Sequence, residues 1–228
     1  MGRLQELFGE RTVLFDGAMG SMLYERGVFI NRCYDELNLS QPELVRSIHE
    51  EYLQAGAQII ESNTFGANAF RLSQFGFQDK VFAINHAGAQ LARRAVAQLA
   101  DKQAGYSCVA GSVGPLGVLL EPLAKTSLEE ARAAFIEQIK GLVAGGVDLL
   151  AIETISALNE AEQALLAAAE AAPGVPALAL VTVDEEANCL DGTSCESAAA
   201  KLTAWGADAI GVNCSAGPAT ERTGTCGV

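Results

Sequence analysis

Short apolar runs alternate along this chain with longer stretches of helical spacing. The runs cover residues 12–15, 58–61, 107–110, 148–152, 177–183 and 208–212. Each is nearly all apolar and bounded by glycine or polar residues, which predicts strands buried on both faces, as in a parallel sheet. Between them, residues 41–55, 80–102, 128–144, 158–172 and 196–205 carry the apolar spacing of helices. Ser40 is placed to cap the first of these, with Pro42 in its first turn. Thr126 and Ser127 precede another, whose first turn holds Glu129 and Glu130, where the helix dipole favours carboxylates. Gly56, Gly146 and Gly206 each stand between a helix and the next strand, as C-caps do. The resulting βαβ alternation implies an α/β fold with right-handed crossovers. An open doubly wound sheet and a (β/α)8 barrel both satisfy it. The turn after the first run reads DGAMGS and not GxGxxG, which counts against a dinucleotide-binding domain.

The C-terminal ends of the runs share a chemical character. They meet, in order, Asp16-Gly17, Ser62-Asn63-Thr64, Gly111-Ser112, Glu153-Thr154, Asp184-Glu185 and Asn213-Cys214-Ser215. A cap or turn would explain any one of these. Six at the same end favour a site there, because barrel enzymes draw catalytic groups from the C-terminal ends of different strands. Cys214 fits a partly buried thiol, a nucleophile or a soft-metal ligand. Glu153 fits a helix cap or a partner for an ammonium group. His49 and His86 fall inside helices, and the second histidine that a zincin motif requires after His49-Glu50 is Leu53. No nucleophile elbow or P-loop occurs, and 111–117 (GSVGPLG) reads as a shaped turn. No lysine stands at a strand end, which argues against a Schiff-base aldolase.

Composition narrows the setting. Half of the 228 residues are hydrophobic, so the chain has a core to bury and is not disordered. No apolar run approaches the roughly 20 residues that span a bilayer, and the N-terminus has no apolar core of a secretory signal. A formal net charge of -13 gives no footprint for nucleic acid or for an anionic membrane surface. The six cysteines are scattered, with no CxxC pair, which predicts reduced thiols and a cytoplasmic protein.

Several blocks together carry a resemblance. They are LFDGAMGSML (14–23), ELNLSQPELV (36–45), IHEEYLQAGAQIIESNTFGAN (48–68), INHAGAQLARRA (84–95), VAGSVGPLG (109–117), GGVDLLAIETI (145–155) and GADAIGVNCSAGP (206–218). Through these the chain resembles the homocysteine S-methyltransferase family. Two stretches look closest to the bifunctional bacterial branch, in which this module is fused to a methylenetetrahydrofolate reductase. The resemblance implies a (β/α)8 barrel that makes methionine by transferring a methyl group to homocysteine. It implies homocysteine contacts at Asp16, Gly17, Ala18, Asn63, Thr64, Glu153 and Asn213, and a zinc ion bound by three cysteines, the first of them Cys214. A thiolate is the nucleophile, soft cysteine ligands suit zinc, and coordination to zinc would deprotonate the substrate thiol. The methyl donor is not legible, since relatives use betaine, S-methylmethionine, methylcobalamin or methylfolate.

The family pattern also implies two further strands and a GGCCG-like cysteine pair after 206–218. This sequence reads ATERTGTCGV there, with the single Cys226. The expectation is therefore an incomplete barrel of about six β/α units over 1–218, an atypical tail over 219–228, and weak or absent zinc binding. The competing expectation is a non-catalytic remnant of the same domain.

Overall fold

The computed structural model describes Gly9, residues 12–100 and residues 107–215. The tail expected over 219–228, and Cys226 with it, lie outside the described residues. Three short helices absent from the periodicity appear in the N-terminal half: α1 (Met19–Glu25), α2 (Leu37–Ser40) and α4 (Ala69–Ser73). The expected helices are α3 (Pro42–Gln54), α5 (Val81–Ala100), α6 (Leu128–Gly145), α7 (Leu158–Ala171) and α8 (Cys195–Ala204). The strands are β1 (Ile59–Glu61), β2 (Cys108–Val113), β3 (Leu149–Ile155), β4 (Ala177–Val181) and β5 (Ala209–Val212). They form one parallel sheet in sequence order. A doubly wound sheet reverses its strand order at a switch point; this one never does, and it advances in the manner of a barrel wall. No described helix is long and apolar enough to cross a membrane.

Two local expectations are corrected. Residues 12–15 form no strand: Phe15 makes a single parallel bridge to Ile59, and the Asp16 N–H donates to Ile59 O at 2.9 Å. The chain then turns through Gly17 into α1 before a second pair can form. Ser40 caps nothing. It ends α2, its hydroxyl donates to Glu36 at 2.8 Å, and Gln41 holds the N-cap position of α3 without a side-chain bond. Ser127 does cap α6, in a reciprocal box with Glu130. Gly56, Gly146 and Gly206 hold positive φ as helix C-caps do.

The strands run from buried to polar in step. Ile59 and Glu61 of β1, Cys108, Ala110 and Ser112 of β2, and Leu149, Ala151 and Glu153 of β3 share one face by register and alternation. The apolar members pack with Val13 and Phe15 into an inner core. The opposite face, with Val113, Leu150 and Ile152, packs against the helices, including the fully buried Phe135 and Leu142 of α6. The inner column therefore begins apolar and ends in Glu61, Ser112 and Glu153.

Helices α5 and α6 approach closely because α6 carries Gly141 and Gly145. A Cβ on Gly145 would stand 2.5 Å from Ala89 Cβ and 2.7 Å from His86 O. Neither neighbour is the end of a flexible chain, so the helices must move apart. Gly145→Ala is expected to cost about 2 kcal/mol, lowering the melting temperature by roughly 4–8 °C for a domain of this size. Thermal denaturation of the variant checks this, and an unchanged melting temperature refutes the packing argument.

Candidate functional site

The polar ends of the inner column open into a cavity of about 620 Å³. Asp16, Gly17, Ala18, Asn63, Thr64, Glu153 and Cys214 all line it. Asn213 stands behind that surface and reaches the site through its neighbours. Its side chain accepts from the Thr154 N–H at 2.9 Å and donates to Thr154 Oγ1 at 3.0 Å and to Glu153 at 3.3 Å.

The structure adds a residue that sequence reading passed over. Glu61 lines the same cavity and completes a cluster of three carboxyl groups with Asp16 and Glu153. Its signal was the alternation itself: in a strand of period two, Glu61 shares the face of Ile59 and so points where Glu153 points. Read only as the polar end of QIIE, it looked like a strand terminus.

Burial and mutual repulsion govern the cluster. Burial pushes the Asp16 carboxyl up to about 7, the charge of Glu153 adds to this, and a 3.0 Å hydrogen bond from the Glu61 N–H opposes it. Glu61 is raised well above the usual carboxylate range by burial, then by Glu153 and Asp16. Glu153 is also raised by burial, but donors around it hold its charge: Ser112 Oγ at 2.6 Å, the Glu61 carboxyl, and Asn213. Burial thus raises both Glu61 and Glu153, and the donors on Glu153 oppose its rise.

Other expected contacts are engaged within the protein. Both amide hydrogens of Asn63 are used, on Tyr34 O at 2.7 Å and Asn38 Oδ1 at 3.1 Å. Thr64 is fully buried, and its hydroxyl donates to Ser112 O at 2.8 Å. These two residues hold the wall of the cavity in shape. A Cβ on Gly17 would lie 3.0 Å from Tyr52 Oη, whose hydroxyl donates to Ala18 O, so a larger residue there would press on Tyr52.

Cys214 is exposed, and its backbone φ is +53°. Its sulfur accepts from Thr154 Oγ1 at 3.6 Å. A protein zinc site normally takes three or more protein ligands. Among the described residues no group of three His, Cys, Asp or Glu side chains is placed to hold a metal. The described residues by themselves therefore do not fit a zinc ion.

Comparison with known proteins bears on this arrangement. The model of the family described as homocysteine S-methyltransferase matches residues 13–223. The methionine synthases of Mycobacterium leprae and Mycobacterium tuberculosis are 32% and 31% identical over 226 residues, covering 95% of this chain. The chain spans 19% of the length of each of these relatives. The homocysteine methyltransferase MmuM from Escherichia coli, in its metallated form, superposes with a TM-score of 0.80 at 29% identity, over 92% of this chain and 77% of that one. Its oxidised form gives 0.81. Extending as they do from the first cavity residue to beyond Cys214, these matches show that the chain belongs to the homocysteine S-methyltransferase family.

Proposed function

We propose that the acidic pole binds the ammonium group of homocysteine and that the cavity presents its thiol for methylation to methionine, in the cytoplasm. The observation that carries this reading is the buried cluster of Asp16, Glu61 and Glu153: Arg32 and Arg71 line the same cavity, but among the described residues no ion pair joins a cation to the cluster. Charge-assisted hydrogen bonds are the stronger kind, and more so away from water. An ammonium group offers three donors, enough to engage several carboxyl oxygens at once.

In the reaction the homocysteine thiol releases its proton to solvent and its sulfur attacks an activated methyl carbon. The S–CH3 bond forms as the donor–CH3 bond breaks, and the leaving group departs with the electron pair. The chain's own part is to orient the amino acid through Asp16, Glu61 and Glu153, with the backbone of Gly17 and Ala18 lining the same cavity. Cys214 marks where the thiol would be handled. A zinc-activated thiolate needs ligands beyond those described. The methyl donor is left open, and a methylenetetrahydrofolate reductase, fused or separate, is the proposed partner.

Asp16 gives the test a direction. Its carboxyl ionises at about 7, so the pole gains negative charge between pH 6 and pH 8. Homocysteine affinity should rise roughly tenfold over that interval, as expected for one linked ionisation centred near 7. Calorimetric titration with homocysteine at the two pH values, with homoserine as the thiol-free control, checks it. Affinity that is flat or falls with pH counts against the ammonium assignment.

A further inference from the structure

Residue 154 is a threonine in a backbone conformation that threonine avoids. Its φ is +59°, in the left-handed region, where a β-branched side chain is an outlier. Cys214 is also left-handed, at +53°. The pairing of β3 with β4 slips between Ile152 and Ile155, directly around this position. Strained residues of this kind persist only where the surrounding structure over-determines them, and they cluster at functional sites.

The over-determination is visible. With Thr154 turned left-handed, its N–H donates to Asn213 Oδ1 at 2.9 Å and its hydroxyl accepts from Asn213 Nδ2 at 3.0 Å. The same hydroxyl donates to Cys214 Sγ at 3.6 Å. One hydroxyl thus serves as acceptor and donor at once, which is its natural capacity. The Asn213 amide, held at both ends, is aimed so that Nδ2 also reaches Glu153. These bonds join the end of β3 to the end of β5 across the intervening β4.

Resting on the proposed function, we infer that Thr154 is a positioning residue: it clamps the Asn213 amide against Glu153 and fixes the Cys214 thiol at the cavity. The backbone strain is the cost of placing N–H and hydroxyl on Asn213 together. Serine would keep the hydroxyl, valine would keep the shape without it, and glycine would release the strain while losing it.

The test compares Thr154→Ser, Thr154→Val and Thr154→Gly for homocysteine affinity by calorimetry. It also measures the alkylation rate of Cys214 by iodoacetamide, resolved from the other cysteines by peptide mapping. Affinity should fall about tenfold in the valine and glycine variants, the size of one well-placed hydrogen bond. Cys214 alkylation should change at least several-fold in both, and serine should restore both readouts. The glycine variant should melt no lower than the parent, because relief of strain offsets the lost bonds. A valine variant with parental affinity and alkylation rate overturns the clamp. So does a serine variant that fails as valine does, and a glycine variant that melts lower overturns the strain argument. If the parent protein does not bind homocysteine, the functional reading fails, while the alkylation rates still decide whether Thr154 holds Cys214.

Discussion

Glu153→Gln is expected to weaken homocysteine binding by roughly two orders of magnitude while leaving the fold intact. Glutamine matches glutamate in shape, so Ser112 and Asn213 keep a neighbour of the same size. What disappears is the ionisable carboxyl group to which those two residues donate. Removing one member of a buried, hydrogen-bonded charge pair typically costs about 2–5 kcal/mol of binding. A mid-range loss of about 3 kcal/mol corresponds to roughly 150-fold. The variant also leaves Glu61 facing an amide, so Glu61 would have to ionise to meet the ammonium, against its own burial. Glu153→Asp keeps the charge but retracts it from Ser112, and an intermediate loss is expected. Calorimetric titration of the three proteins, with circular dichroism to confirm folding, measures the series. Near-parental binding by Glu153→Gln would remove this carboxylate from the site. The ammonium would then have to be assigned to Asp16 and Glu61 alone.

Much of this was legible in the sequence because its signals are local. Five of six expected strands and all five expected helices appear within a few residues of their predicted bounds. Their apolar runs and glycine C-caps act over short distances, and the convergence of Asp16, Glu153 and Cys214 follows once the strands are parallel. The failures have physical causes of their own. The run at 12–15 has strand composition, but Leu14 is more than half exposed and only Phe15 bridges to β1, so pairing and not propensity decided it. Ser40 has capping chemistry, but α2 claims it first. The helices α1, α2 and α4 have seven, four and five residues, too short for a 3.6-residue period to repeat. The engagement of Asn63 with Tyr34 and Asn38, and the left-handed turn at Thr154, are long-range geometry that no local pattern encodes.

The acidic pole should also make the empty protein less stable as pH rises, and Asp16→Asn should reverse much of that. The Asp16 carboxyl titrates at the ordinary 3.8 when unfolded and at about 7 when folded. Between those values the folded state binds the proton more tightly, so the stabilisation present below pH 3.8 is lost progressively until pH passes 7. The shift corresponds to about 4 kcal/mol by pH 8, an order-of-magnitude figure. Glu61 and Glu153 are raised by burial as well, so their contributions share its sign. Asparagine mimics the protonated form: its oxygen can still accept from the Glu61 N–H, and its amide can donate to a neighbouring carboxylate. At pH 5 the variant should therefore lead the parent by only about 1.7 kcal/mol, since the loss above pH 3.8 has only begun. At pH 8 the variant should be more stable by a few kcal/mol, with its melting temperature raised by about 5–10 °C, and its homocysteine binding should be lost. Urea denaturation at the two pH values separates this from a general stabilisation, which would give the same gain at both. A variant less stable than the parent at pH 8 would show that Asp16 is satisfied as it stands. The expected pattern instead means that the cost of burying the Asp16 charge, with the charge of Glu153 added to it, is held in the unliganded fold and relieved when an ammonium group enters.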